Sequence, residues 1–150
     1  MSLRIPPPLV ALLSVLLMWL FTEHLPSWQF AVPYAGFIAG ALIAAGFGID
    51  IVSVLAFRRA KTTVTPLKPE KASRLVVSGF YRFSRNPMYL GMLLILAGVA
   101  VWFGSFANII ILIAFVFYIT AFQIKPEEAR LDQLFGAEYR AYRQRVRRWL

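Results

Sequence analysis

From residue 5 to residue 57 the chain carries no lysine or arginine, and from residue 86 to residue 124 it carries no charged residue at all. The basic residues are crowded elsewhere: eight from Arg58 to Arg85, seven from Lys125 onward, and Arg4. Apolar runs of this length do not fit inside a small water-soluble domain, and they do fit a lipid bilayer. Composition agrees. The chain is 59% hydrophobic and 15% charged, where soluble domains run at about 45–50% and about 25%. The fold class that follows is an all-α integral membrane protein.

Four apolar segments can be drawn. The first covers residues 5–21, with Pro6, Pro7 and Pro8 placed as a helix entrance. A short loop from Thr22 to Gln29 follows, flanked by Trp19 and Trp28, as expected of aromatic residues at a membrane–water interface. The second segment covers residues 30–57. Along it Gly36, Gly40, Ala44 and Gly48 recur every four residues, a spacing that lets another helix approach closely, from this chain or from a second copy. Asp50 lies inside this segment, where an ionisable group is expensive; it either serves function or pairs near the interface, two turns before Arg58. The third and fourth segments, residues 87–103 and 106–124, are separated by Gly104-Ser105 and read as an antiparallel hairpin. Residues 58–86 form a polar loop with Pro66 and Pro69. The tail, residues 125–150, repeats apolar positions every three or four residues (Leu131, Leu134, Phe135, Tyr139, Tyr142, Val146, Trp149), which predicts one amphipathic helix on the membrane surface or docked on the bundle, weakened at Gly136.

The charges also orient the chain. Fifteen lysines and arginines fall in the loop after segment two and the tail, and none fall in the loops after segments one and three. By the positive-inside rule the basic regions face the cytoplasm, so both termini do too, and Arg4 agrees. Arg4 before an apolar run resembles a signal peptide, but bulky Leu20-Phe21 before Thr22 is a poor cleavage pattern, so a retained helix is expected. The whole chain, residues 1–150, is expected to be one domain. Its net charge of +9 is read as attraction to anionic lipid, not nucleic acid. With no cysteine and one histidine, His24, thiol chemistry is excluded and no metal is expected.

Chemistry is concentrated at the cytoplasmic ends of the last two segments. The first string is Gly79-Phe80-Tyr81-Arg82-Phe83-Ser84-Arg85-Asn86-Pro87-Met88-Tyr89-Leu90-Gly91. Pro87 opens a helix whose N-terminus attracts an anion, and Arg85 adds a fixed positive charge beside it. Tyr89 and Gly91 offer a flat wall and a close backbone approach. The second string begins Pro126-Glu127-Glu128. Pro126 can stop one helix and start another, and the two carboxylates then either stabilise that helix start or bind an ammonium or sulfonium group.

The first string, with its Arg85–Gly91 core, resembles the isoprenylcysteine carboxyl methyltransferase family, which belongs with the phospholipid N-methyltransferases in one group of membrane methyltransferases. So does Glu127-Glu128-Ala129-Arg130-Leu131, followed by Phe135-Gly136-Ala137-Glu138-Tyr139-Arg140-Ala141-Tyr142 and Val146. The likeness covers about residues 62–150, and Thr63-Val64-Thr65-Pro66 is similar to the short bacterial members. The resemblance implies S-adenosylmethionine as methyl donor. It implies that Tyr81, Arg85, Asn86, Pro87, Tyr89 and Gly91 line the donor and that Glu127 or Glu128 holds its amino group. It also implies a prokaryotic cytoplasmic membrane with the active site facing inward. Eukaryotic members carry histidine where Asn86 stands. Asparagine does not titrate near neutral pH, so an acid–base role does not carry over to this position.

Two enzyme readings follow. Methyl transfer to the carboxylate of a lipophilic, isoprenylcysteine-like acceptor needs no base, since a carboxylate is already ionised. Arg143, Arg140 or Lys125 would orient it. Transfer to the amine of a lipid headgroup needs a base such as Glu128 or Asp50. A third reading, a membrane protein that binds lipid or a partner helix without catalysis, accounts for the apolar helices and the basic tail but not for the two strings together.

Overall fold

The computed structural model describes residues 5–60 and 74–150. Arg4, the Thr63–Pro66 string and Pro69 lie outside the described residues. Every regular element among the described residues is helical. Helix α1 spans Pro7–His24, with Pro6 at its N-cap. Helix α2 spans Ala35–Arg59, α3 Pro87–Phe103 and α4 Ala107–Ile119. A π turn, Thr120–Ile124, joins α4 to α5, Lys125–Phe135, and α6 covers Ala137–Arg145.

Among the described residues three helices are long and apolar enough to cross a membrane: Pro7–His24, Ala35–Arg59 and the continuous run Ala107–Phe135. Helix α3 is apolar but shorter, at 17 residues. Large apolar side chains cover the outside, among them Leu12, Phe37, Phe47, Ile110 and Phe117. An apolar coat this extensive belongs in lipid. The protein is an integral membrane protein.

Helix α3 is the centre of the bundle, touching α1, α2 and α4. Its most extensive contact is with α2. That contact depends on missing side chains. A Cβ on Gly46 would meet the Gly91 carbonyl oxygen at 2.6 Å, and one on Gly98 would meet the Ala39 carbonyl oxygen at 2.8 Å. The backbones therefore approach as small residues in membranes allow. On the far side of α3, Met18, Leu96, Ile111, Phe115 and Ile119 close the core.

The face of α2 that packs is Ala39, Gly46, Ser53 and Ala56, not the Gly36–Gly48 stripe. Gly40 and Gly48 have open space where a Cβ would stand. At 100° per residue the two faces lie about 160° apart, nearly half a turn. Polarity explains the choice. Asp50 and Ser53 share the packed face, and Ser53 donates to the Ile49 carbonyl oxygen at 2.6 Å. Turning the stripe inward would turn these polar groups out toward lipid.

The two ends of the bundle are each closed by a short backbone pairing. At one end Phe30 N–H donates to the Gly104 carbonyl (2.8 Å) and Phe106 N–H to the Trp28 carbonyl (3.0 Å). Gly104 has φ +56°, and its missing Cβ leaves room for the Phe30 carbonyl oxygen. At the other end Arg85 N–H donates to the Arg147 carbonyl at 3.0 Å. The loops expected on one side of the membrane are thus joined to each other, and so are the basic segments.

Several expected boundaries move. Helix α1 runs one turn further, because Thr22 and His24 satisfy their own side chains on the Met18 and Leu20 carbonyls. Helix α2 begins at Ala35, after Tyr34 in the left-handed region at φ 56°. Pro126 stands in the first turn of α5, as expected, but no break precedes it: the π turn carries the chain through from α4, as wide turns do where a regular ladder is interrupted. The tail is not one amphipathic helix. Gly136, at φ +48°, ends α5 and starts α6, and the chain is extended from Val146.

The α2–α3 contact predicts a contrast between two glycines. Gly98→Ala should lower stability by about 1–3 kcal/mol, the usual cost of overpacking. Gly48→Ala should be neutral or stabilising by up to about 1 kcal/mol, from helix propensity alone. Thermal unfolding in detergent reads both; equal shifts would contradict the packing.

Candidate active site

The site lies at the entrance of α3, beneath the chain's C-terminus. The backbone turns through Gly79–Arg82 in a short 3-10 segment and reaches Ser84 and Asn86, both buried. Asn86 is the N-cap of α3, yet its side chain does not cap the helix. Its Nδ2 donates instead to the Arg148 carbonyl at 2.9 Å. Ser84 Oγ accepts from Asn86 N–H at 3.1 Å. Asn86 therefore clamps the C-terminal segment.

Glu128 is the centre of charge. Arg148 grips it with both arms of its guanidinium, Nε to Oε1 at 3.0 Å and Nη2 to Oε2 at 2.8 Å. Arg85 approaches Oε1 with Nη2 at 3.1 Å. The side chains of Arg85 and Glu128 are 9% and 10% exposed, so both charges are largely out of water and their pairing is needed to offset the desolvation. The hydrogen bond to Glu128 raises the Arg148 guanidinium above its ordinary range. Two arginines against one glutamate leave one positive charge over. Arg85 Nε and Nη1 are buried and make no well-aligned hydrogen bond among the described residues, although the Tyr139 phenol lies against the same guanidinium. A buried guanidinium with two idle donors is a receptor for a carboxylate or phosphate.

A negative group stands beside it. Tyr89 hydroxyl donates to Glu127 Oε2 at 3.1 Å, linking α3 to α5. Tyrosines wall the site. Tyr142 hydroxyl donates to the Tyr81 carbonyl at 2.7 Å, and Tyr81 meets Phe57 edge-on, with ring centroids 5.3 Å apart. Burial pushes the Tyr81 phenol well above its ordinary range, and the charge of Glu127, then of Tyr142 and Asp50, pushes it further. Burial also raises Tyr142 and Tyr139. These phenols stay neutral at physiological pH.

The structure thus gathers Tyr81, Arg85, Asn86, Pro87, Tyr89, Glu127 and Glu128 at one place. Gly91 lies one turn deeper, where a Cβ would fall on the Asp50 carboxylate and close to the Gly46 carbonyl. What approaches its backbone is helix α2. Arg143 stands on the exposed side of α6 and reaches the cluster through its charge on Tyr139. Arg140, exposed, pairs with half-buried Asp132 at 3.5 Å. The residue that sequence reading missed is Arg148. Nothing local distinguishes it from Arg143, Arg145 or Arg147; only the pairing of Arg147 with the Ser84 segment places it.

Paired strings, one arginine with spare donors and one carboxylate beside it are what a small zwitterionic ligand requires. Comparison with known proteins gives this a family. The family model for phospholipid methyltransferases matches residues 34–138, from the start of α2 into α6. A probable protein-S-isoprenylcysteine O-methyltransferase of Oryza sativa is 32% identical over 130 residues, 85% of this chain and 64% of that protein. Protein-S-isoprenylcysteine O-methyltransferase B of Arabidopsis thaliana is 31% identical over 94 residues, 63% of this chain and 48% of the relative. An uncharacterized protein of Haemophilus influenzae is 48% identical over 63 residues, 42% of this chain and all of that protein. The chain spans less than two thirds of the plant relatives it matches. No solved structure matches. With more than two thirds of its length under the family model and both strings in place, the chain belongs to the membrane methyltransferases that unite the phospholipid methyltransferases with the isoprenylcysteine carboxyl methyltransferases.

Proposed function

We propose that the chain is an S-adenosylmethionine-dependent methyltransferase acting on a lipophilic acceptor, in first place the carboxylate of an isoprenylcysteine-like molecule. The observation that carries this is the opposite pairing at the entrance of α3: Arg85, buried with two idle donors, beside the carboxylate of Glu127. A methionine-type head group, carboxylate and ammonium on one carbon, has the matching charges. Bound there, S-adenosylmethionine supplies an electrophilic methyl group on a sulfonium. Arg85 would hold the carboxylate and Glu127 the amino group. Glu128 is better suited to positioning, because both of its oxygens are occupied by guanidinium donors. Tyr81, Tyr89 and Tyr142 would exclude water, which strengthens every charge interaction inside. Asn86 would hold the C-terminal segment over the site.

The acceptor's hydrocarbon would lie along a groove open to the side, lined by Val52, Gly79, Phe80, Arg82 and Phe83. Phe83 is 68% exposed there. An acceptor carboxylate arrives ionised and needs placement only. A second reading, methylation of an amine headgroup, is favoured by the name of the matching family. It needs a proton acceptor; both oxygens of Glu128 are held by guanidinium donors, which leaves Asp50 as the candidate base. Arg143 remains a candidate to orient an acceptor carboxylate from the exposed side of α6. We further propose four spans with both termini in the cytoplasm of a prokaryotic cell, one domain over residues 1–150, and the site facing inward.

Calorimetric binding of S-adenosylhomocysteine to the lipid-supplemented, detergent-purified protein tests the donor. Micromolar binding is expected. Glu127→Gln should weaken it about tenfold or more with little change in unfolding temperature. Glu128→Ala should instead cost about 2–3 kcal/mol of stability, since it strands a buried guanidinium while the more exposed Arg148 is rehydrated. A folded wild type that does not bind contradicts the reading. Transfer of labelled methyl to prenylcysteine or to phosphatidylethanolamine then separates carboxylate from amine.

Orientation has its own check, helped by a chain without cysteine. Glu23→Cys should react with an impermeant maleimide in intact cells. Gln133→Cys should react only after permeabilisation. The reverse pattern would invert the proposed topology.

A further inference from the structure

Asp50 sits on α2 nine residues before Arg59, about 13 Å inside the helix end. A carboxylate at that depth is costly unless something compensates it. Nothing among the described residues does so fully: Asp50 Oδ1 is buried and has no hydrogen-bond partner there. Its carboxylate lies against Gly91, where a Cβ would collide with it and with the Gly46 carbonyl oxygen 2.8 Å away. The absence of a side chain at 91 therefore keeps a space open for this acid. Asp50 thus packs on α3 one turn in from the entrance that holds the other groups, and its charge, like that of Glu127, is felt at the Tyr81 phenol.

The depths differ in a way that matters. Arg85 lies two residues before α3 begins, and Gly91 lies one turn in, about 6 Å along the axis from Pro87. Arg85, nine-tenths buried, has idle donors for an anion. Asp50 has an idle acceptor for a cation one turn deeper. In the methyl donor three bonds separate the α-carbon, which bears carboxylate and ammonium, from the sulfur, which bears the second positive charge. That reach is comparable to one helical turn.

We propose that Asp50 faces the sulfonium of the methyl donor, so that the site distinguishes the charged donor from its neutral product. The proposal rests on the donor reading above and adds to it a reason for product release. Losing the methyl group removes the positive charge that Asp50 compensates, and the thioether left behind is held less tightly.

The experiment compares three ligands on wild type and Asp50→Asn by calorimetry, with no acceptor present. S-adenosylmethionine carries the sulfonium. Sinefungin carries an ammonium at the equivalent place. S-adenosylhomocysteine is neutral there but keeps the carboxylate and the α-ammonium. Asp50→Asn is expected to weaken the first two by about tenfold and the third by less than about twofold. Equal loss for all three would place Asp50 at the α-ammonium or in the fold and overturn the proposal, as would no loss for any. Wild type gives a second test that needs no variant: it should bind sinefungin more tightly than S-adenosylhomocysteine, and the opposite order overturns the proposal. A wild type that binds none of the three fails the donor reading itself, and this proposal falls with it.

Discussion

Glu128 sits where three separated stretches of chain meet. It belongs to α5, it is approached by Arg85 from the entrance of α3, and it is gripped by Arg148 two residues from the C-terminus. Its contact with Arg85 is largely dry, and a dry carboxylate needs its partners to stay charged at tolerable cost. Once formed, it fixes the Ser84–Asn86 segment against Arg147 and Arg148. It thereby roofs the α3 entrance and leaves Arg85 with more donors than the protein uses. The candidate site is what remains when that ion pair has been satisfied.

The membrane imposes the second constraint. Lipid covers most of the outer face of α1, α2 and α4, so polar groups on these helices must turn inward. Ser14, Ser53 and Thr22 do so and bond to carbonyls one turn back. Asp50 turns inward too, and the glycines at 46 and 91 give it room. Packing and polarity thus select the same face of α2, and that face brings a carboxylate to the side of the site.

The segment pattern was legible in the sequence because charge exclusion from a bilayer acts on every residue of a long run. The two strings were legible because proline, glutamate and arginine act locally at helix starts. Other features depended on tertiary choices. Small residues recur on α2 both at 36, 40, 44, 48 and at 39, 46, 53, and spacing alone does not rank the two; the need to bury Asp50 and Ser53 does. Gly136 has a propensity cost that a helix can absorb, but here it takes φ +48° and ends α5. The spacing of the tail's apolar positions predicts one helical stripe, yet Tyr139 and Tyr142 are buried while Leu134 is 45% exposed. Arg148 gained its role from a pairing with residues more than sixty positions away, which no local pattern reports.

The most direct test of the account is a density map of the protein with S-adenosylhomocysteine bound. The account predicts the ligand's carboxylate on Arg85 Nε and Nη1, its amino group at Glu127, and the Glu128–Arg148 pair intact beneath the C-terminal segment. Density elsewhere, or a ligand whose amino group displaces Arg148 from Glu128, would contradict it.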